Sequence, residues 1–121
     1  MADKEQNKVH KTEYGYMLVW AEQKSHGGII HVFEKPSKTD FVFHKEKEKS
    51  YFVNSGEFIF RWINTQSGQV YQQGGTEGFV FTVNKMVPSS LECKSPNGSL
   101  TEANNGVEND TYVVLKKENI L

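Results

Sequence analysis

Three side chains in or beside predicted strands are best suited to chemistry. His44 stands where a strand meets a charged bend, Lys49 closes that bend, and Arg61 is a lone charge in an otherwise apolar strand. A histidine here could act as a general acid or base, and an arginine could bind phosphate or carboxylate. Each also has a structural alternative: a hydrogen-bonded histidine, a lysine in water and a rim ion pair. An inward Lys49 would need a carboxylate partner, and the candidates are Glu46, Glu48 and Glu102.

The strands that must position these residues are predicted from alternating apolar residues and from turn residues. Val, Ile, Phe and Tyr carry the apolar content, and turn residues recur roughly every eight to twelve positions, as in sandwiches and barrels. The predicted strands are Tyr14–Ala21, Ile29–Glu34, Phe41–His44, Tyr51–Val53, Glu57–Ile63, Val70–Gln72, Phe79–Val83, Leu91–Lys94, Leu100–Ala103 and Thr111–Leu115. We expect Tyr51–Val53 and Glu57–Ile63 to form a hairpin around Gly56. No long segment has a helical period, so the sequence predicts an all-β fold.

Composition limits the partners and the location of the chain. With 121 residues the chain is long enough for one domain, and its net charge of −1 gives no overall attraction to nucleic acid or to an anionic membrane. The single cysteine, Cys93, cannot form an internal disulfide, and we expect it in the core. No stretch resembles a signal peptide or a membrane span, so we expect a cytoplasmic protein. We predict a flexible polar tail over residues 1–11 and a single domain over residues 12–121.

Two spaced patterns in this chain are similar to family motifs. In the second half, the positions of the motif G-x5-P-x-G-x2-H-x3-N hold Gly78, Asn84, Met86, Ser89 and Cys93, in that order. In the first half, H-x-H-x3-4-E-x6-G anchored on Gly56 places Val42 and His44 in the histidine positions and Lys49 in the glutamate position. Together they resemble the two motifs of the cupin superfamily. The resemblance implies a double-stranded β-helix, the cupin jelly-roll barrel.

The flanking residues narrow this resemblance. The segment 13–16, E-Y-G-Y, is similar to the P-W-G-x-Y opening of cupins related to type II mannose-6-phosphate isomerases and to the C-terminal domain of mannose-1-phosphate guanylyltransferases. His44 begins the H-x-x-K pattern of those proteins. Glu102 and Asp110 match part of their E-x-S-x(n)-D-x-x-R ending, in which Val113 replaces the arginine. The resemblance therefore points toward sugar phosphates.

The resemblance also identifies the positions that hold the family metal, and most of its ligands are replaced. Cupins commonly bind a divalent metal with three histidines and a glutamate, and here those positions hold Val42, His44, Lys49 and Ser89. An ammonium group in place of a carboxylate and a hydroxyl in place of an imidazole make a poor metal site. The alternative is a bulge that turns Glu48 inward beside His44. We predict a protein without a metal or other cofactor.

Two functions are compatible with these residues. The first is a metal-free binding or structural module, whose barrel holds a small polar or anionic ligand such as a sugar or sugar phosphate. Its predicted ligand-binding residues are His44, Arg61, Ser89, Val42 and Trp62, the last as a stacking platform. If the barrel interior is open, we expect Val42, His44, Arg61 and Ser89 to face it. The second is a metal-independent sugar isomerase or epimerase that uses His44 as acid or base. Its candidate catalytic residues are His44, Lys49, Tyr51 and Glu102, and Arg61 is an alternative to Lys49 as electrostatic stabiliser.

Two further expectations concern assembly and one other histidine. The family resemblance implies a homodimer made through strand contacts. We expect some of the aromatic residues to lie at that interface, and the candidates are Tyr14, Tyr16, Trp20, Phe41 and Phe43. We interpret His31, on an earlier strand, as a surface or sheet-packing residue.

Overall fold

The computed structural model describes residues 8–120, which form twelve β-strands and one 3-10 turn. The strands are β1 (Lys8–Lys11), β2 (Gly15–Glu22), β3 (Gly27–Phe33), β4 (Ser37–Lys38), β5 (Phe41–Phe43), β6 (Lys49–Ser55), β7 (Phe58–Ile63), β8 (Val70–Gly75), β9 (Val80–Val83), β10 (Ser89–Cys93), β11 (Gly98–Asn104) and β12 (Tyr112–Leu115). The 3-10 turn covers Lys117–Asn119. Within this described range, no helix has the length and apolar content needed to cross a membrane.

The strands form two antiparallel sheets. The first sheet has the order β1-β2-β3-β11-β6-β9, and the second has the order β12-β5-β10-β7-β8, with β4 added beside β10. Strands that are neighbours in a sheet are often distant in sequence, as β3 and β11 are. The prediction of an all-β fold is confirmed.

The core lies between the sheets because alternate residues of each strand point to the same face. The first sheet contributes Phe33, Tyr51, Val53, Val83 and Leu100, and the second contributes Phe58, Phe60, Leu91 and Cys93. The rings of Phe33 and Phe58 meet edge to face across the two sheets, with centroids 5.3 Å apart. Burying one such large apolar side chain stabilises the fold by about 1.5–3 kcal/mol. Cys93 lies in this core, as predicted.

Gly56 carries the chain from one sheet to the other. β6 pairs with β11 and β9, whereas β7 pairs with β10 and β8, so the hairpin predicted for Tyr51–Val53 and Glu57–Ile63 is wrong. Val53 and Phe58 are both fully buried in the same core. Both strands must therefore face each other across the core, which side-by-side pairing would prevent. Gly56 adopts φ of +93°, and a Cβ there would lie 2.8 Å from the Cα of Gly98.

The first sheet begins inside the segment predicted to be a tail. Lys8–Lys11 form β1, which pairs with β2 from Lys8 opposite Val19 to Lys11 opposite Tyr16. All four residues of β1 are exposed. An edge strand needs backbone pairing but few apolar side chains, so a polar sequence carries no strand pattern here. Residues 8–11 of the predicted tail are thus paired in a strand, and residues 1–7 lie outside the described range.

The aromatic residues expected at a dimer interface divide into two kinds within the single chain. Phe41 is only 2% exposed, and Tyr14 stacks on Phe33 with ring centroids 4.1 Å apart, so both are used in internal packing. Trp20 remains 52% exposed, and its ring lies against Gly28, where a Cβ would come within 2.2 Å of it. The homodimer itself stays a prediction.

Candidate functional site

Two neighbouring cavities lie against the inner faces of the sheets. The first, here called the Lys49 cavity, has a volume of about 260 Å³, and its walls include Val42, Lys49, Tyr51 and Ser89. The second, the Trp62 cavity, has a volume of about 480 Å³, and its walls include Trp62, Asn84 and Val87. The two cavities adjoin, because they share the wall residues Phe81, Val83 and Ser89. Together they form the candidate functional site.

Lys49 faces the interior because it lies on the same face of β6 as the buried residues Tyr51 and Val53. Its Nζ lies 5.4 Å from the centroid of the Tyr51 ring, a favourable contact between a cation and an aromatic face. Among the described residues, Lys49 makes no hydrogen bond and no ion pair. Burial lowers the pKa of Lys49, and the nearby charge of Glu102 acts in the opposite direction. Lys49 is thus an inward cation without a direct carboxylate partner.

Glu102 does not pair with Lys49 because its two carboxylate oxygens already have donors. His31 Nε2 lies 2.7 Å from Glu102 Oε1, and Asn104 Nδ2 donates to Glu102 Oε2 at 2.8 Å. Burial alone would raise the pKa of Glu102, but the hydrogen bond from His31, the charge of Lys49 and the bond from Asn104 lower it to about 2. Glu102 is therefore a well-satisfied carboxylate at neutral pH.

The other side of His31 extends this network to Tyr14. The Tyr14 hydroxyl lies 3.1 Å from His31 Nδ1. A His31 ring that donates a hydrogen bond from Nε2 to Glu102 can accept a hydrogen bond from the Tyr14 hydroxyl at Nδ1. The network therefore assigns the tautomer with its proton on Nε2. Burial, followed by the neighbouring charge of Tyr51, raises the pKa of Tyr14 to about 12.

The interpretation of His31 as a surface or sheet-packing residue missed its main contact. The His31 side chain is 13% exposed and is paired with a nearly buried Glu102. The two residues are 71 positions apart in sequence and meet because β3 pairs with β11, which sets Leu100 opposite His31. No local pattern in the sequence reports such a pairing.

His44 is buried and held by the backbone of a distant segment. Its Nδ1 lies 2.8 Å from the carbonyl oxygen of Asp110, so Nδ1 carries the proton and Nε2 carries a free lone pair. Nε2 is buried and has no partner among the described residues. Burial, followed by the charge of Lys49, lowers the pKa of His44. His44 is not among the wall residues of either cavity.

Asp110 also builds the bend that precedes Lys49. Its carboxylate accepts hydrogen bonds from the backbone N–H groups of Lys45, Glu46 and Lys47, at 3.2, 2.7 and 2.9 Å. These bonds lower the pKa of Asp110, and the bond from Glu46 has the largest effect. Asp110 therefore holds both His44 and the bend in place.

The residues in the family's metal positions do not fit a divalent metal. Val42 and Ser89 line the Lys49 cavity, as expected from their alternation, but they offer no imidazole. Lys49 places an ammonium group in the same interior. Glu48 is exposed, so the bulge that would turn it inward beside His44 does not occur. Within residues 8–120, no three His, Cys, Asp or Glu residues are grouped so that they could hold a metal ion.

Arg61 does not share the interior with the other predicted ligand-binding residues. It alternates on β7 with the core residues Phe58 and Phe60, so it points to the opposite face of the second sheet. There its Nη2 lies 2.9 Å from Glu92 Oε1, and its Nε donates to Gln72 Oε1 at 3.3 Å. The expected inward orientation of Arg61 is wrong, and the ion pair is what the structural alternative predicted.

Trp62 is the aromatic wall of the cavity named after it. Its ring centroid lies 5.4 Å from that of Phe81 and 5.8 Å from that of Tyr71. Ser89 and Trp62 are opposite each other in the pairing of β10 with β7. The Ser89 hydroxyl makes no hydrogen bond to any described residue. An aromatic face therefore stands beside a hydroxyl that has no internal partner.

Comparison with known proteins adds evidence on the fold. No family model matches the chain, and no curated protein matches it in sequence. Among solved structures, it is similar to the capsular polysaccharide assembling protein CapF from Staphylococcus aureus, with a TM-score of 0.82 and 11% identity over 93% of this chain and 35% of CapF. It is also similar to oxalate decarboxylase from Bacillus subtilis, with a TM-score of 0.73 and 14% identity over 90% of this chain and 30% of that enzyme. The chain spans about a third of the length of these proteins. Both are cupins, and the chain accordingly has the cupin jelly-roll fold.

Proposed function

We propose that this cupin module binds a small sugar or sugar phosphate in the two adjoining cavities, without a resident metal. The observation that carries the proposal is Lys49, an inward cation with no direct partner at the wall of a cavity. Lys49 is half-buried, and holding a partly desolvated cation without a direct partner costs free energy. A site that binds an oxygen-rich ligand gives a reason for that cost. The ligand directs one oxygen-bearing end toward Lys49.

The walls of the Trp62 cavity support a carbohydrate ligand. Trp62 and Phe81 offer aromatic faces for the apolar side of a sugar ring. Ser89 and Asn84 offer polar groups at the same wall. Pockets for small molecules commonly combine such an apolar surface with a few placed polar groups. We also propose that the chain is related to the mannose-6-phosphate isomerase cupins, that it is cytoplasmic and that it forms a homodimer. Sugar binding in the cavities does not depend on these three points.

Calorimetric titration with glucose 6-phosphate and glucose tests the proposal. We expect Trp62→Ala to weaken binding of both ligands by about 1 kcal/mol or more, because the loss of an aromatic face affects both alike. We expect Lys49→Met to weaken binding of both ligands, because each directs an oxygen-bearing end toward Lys49. Trp20→Ala is the matched control, since Trp20 lies on β2, outside both cavities. No binding by the unmodified protein to these or related sugars would contradict the proposal.

A second candidate function is a metal-independent isomerase or epimerase that uses His44. The observation in its favour is the buried Nε2 lone pair, which has no partner within the described residues and lies near the charge of Lys49. A lowered pKa keeps such an imidazole neutral and able to accept a proton. Isomerisation of a sugar phosphate that is lost in His44→Gln while binding is retained would establish this function. Equal activity of the variant would exclude His44 from it.

A further inference from the structure

Lys49 has an environment that Lys117, Lys85 and Lys24 lack. Lys47 is the nearest parallel, since it is half-buried and burial lowers its pKa, but it does not line the Lys49 cavity. Lys49 lies on the inner face of β6, at a cavity of about 260 Å³, with the Tyr51 ring beside it. Lys117 and Lys85, by contrast, are ion-paired at the surface with Glu13 and Glu46. Lys24 is simply exposed. Lys49 therefore combines access to an enclosed space with the absence of a counter-ion.

We propose that Lys49 is an amine nucleophile that forms an imine with an aldehyde or ketone ligand in the Lys49 cavity. The inference rests on the proposed function, and it identifies the end of the ligand that reaches Lys49 as a carbonyl group. An open-chain aldose or ketose has such a group, and so does any short hydroxyaldehyde.

The reaction needs no oxidant, reductant or metal. The lone pair of Lys49 Nζ forms a bond to the carbonyl carbon, and the C=O π electrons move to oxygen. That oxygen takes up the proton that the nitrogen loses, which gives a carbinolamine. The carbinolamine then loses water, and the nitrogen–carbon double bond forms. Amine and carbonyl thus become imine and water.

The surroundings supply what these steps require. Tyr51 and Ser89 line the cavity, and neither hydroxyl has a hydrogen-bond partner among the described residues, so both are available to the carbinolamine oxygen. The cavity wall is otherwise largely apolar, which favours the neutral amine. Burial lowers the pKa of Lys49.

The charged and titratable groups around Lys49 leave its amine accessible. Glu102 acts against the neutral amine, but its oxygens are held by His31 and Asn104. Asp40 is a second carboxylate in the cavity wall; its Oδ1 accepts the backbone N–H of Lys117 at 2.8 Å, and it makes no ion pair with Lys49. The buried, proton-free Nε2 of His44 adds no competing donor.

Reductive trapping tests the proposal on the whole chain. The protein is incubated with D-glyceraldehyde and cyanoborohydride at neutral pH, and the adduct is located by peptide mass mapping. We expect labelling at Lys49 to exceed that of exposed lysines such as Lys24 by roughly tenfold, because a desolvated amine is the stronger nucleophile. Lys49→Met removes that adduct, and Lys24→Met leaves it unchanged. Labelling spread evenly over the exposed lysines, with none preferred at Lys49, overturns the proposal.

Two further measurements distinguish failure of imine formation from misfolding of the variant and from failure of the binding function. Mapping of the unmodified protein decides the matter even if Lys49→Met folds poorly. Sorbitol 6-phosphate has no carbonyl, so its binding measured by calorimetry tests the binding function alone. If sorbitol 6-phosphate binds and Lys49 is not trapped, the imine is overturned and the binding function stands. If neither is observed, both are overturned.

Discussion

Two cations on successive strands of this protein differ in the direction of their side chains and in their partners. Arg61, on β7, points away from the core and meets Glu92 at 2.9 Å and Gln72 at 3.3 Å. Lys49, on β6, points into the interior and meets only the face of the Tyr51 ring. Arg61 is buried and Lys49 is half-buried.

The difference separates a structural charge from a candidate functional one. Removing a guanidinium from water is costly, and the ion pair and hydrogen bond of Arg61 offset much of that cost, although its Nη1 is buried without a partner among the described residues. Arg61 is therefore assigned mainly to the stability of the fold. The cost at Lys49 is not offset by any direct ion pair within residues 8–120. Sites that break a stability rule without local compensation are where function is expected.

The largest expected effect is on stability, from removing Arg61. We expect Arg61→Ala to lower the free energy of unfolding by about 3–5 kcal/mol, because Glu92 would keep a mostly buried charge without its partner. Urea denaturation at neutral pH measures this. Lys94→Ala is the matched control: Lys94 also lies near Glu92, at 4.0 Å, but is half-exposed, so its loss should cost at most about 1 kcal/mol. Equal effects of the two variants would show that the Arg61–Glu92 ion pair does not stabilise the fold.

A smaller effect is expected from acid, through Glu102. Its pKa falls from 4.5 to about 2 in the folded protein. A lowered carboxyl pKa gives stability that is fully present above pH 4.5 and is lost as the pH falls toward 2, a contribution of about 3 kcal/mol. We expect the stability difference between the unmodified protein and Glu102→Gln to shrink over that range, as measured by urea denaturation at several pH values. A difference that stays constant would mean that the His31 contact does not stabilise the ionised carboxylate.

Most strand positions in this chain could be predicted from the sequence because most strands carry their own alternation. On β7, for example, Phe58 and Phe60 are separated by residues of the opposite face. The same alternation sets Lys49 in line with Tyr51 and Val53, but charged bends usually lie in water, so the sequence alone leaves the orientation of Lys49 open. The sequence does not predict β1 for the reverse reason, since an exposed edge strand has no apolar pattern.

Pairing between distant strands could not be predicted. The His31–Glu102 contact depends on β3 beside β11, and the Arg61–Glu92 pair depends on β7 beside β10. Neither neighbour relationship leaves a local mark in the sequence. The wrong hairpin at Gly56 has the same origin, because turn residues show where the chain turns but not which strands then pair.

The smallest expected effect is the most informative about Lys49. Lys49→Met replaces a half-buried cation by an apolar side chain of similar length. The desolvation cost disappears, while the attraction to Glu102 and the contact with the Tyr51 ring are lost. These terms oppose each other, so we expect the free energy of unfolding to stay unchanged or to rise by about 1 kcal/mol. Lys49→Arg, which keeps the charge but fills more of the cavity, separates charge from packing in the same urea experiment. A loss of several kcal/mol in Lys49→Met would make Lys49 a structural cation like Arg61. Its lack of a direct partner would then no longer point to a ligand.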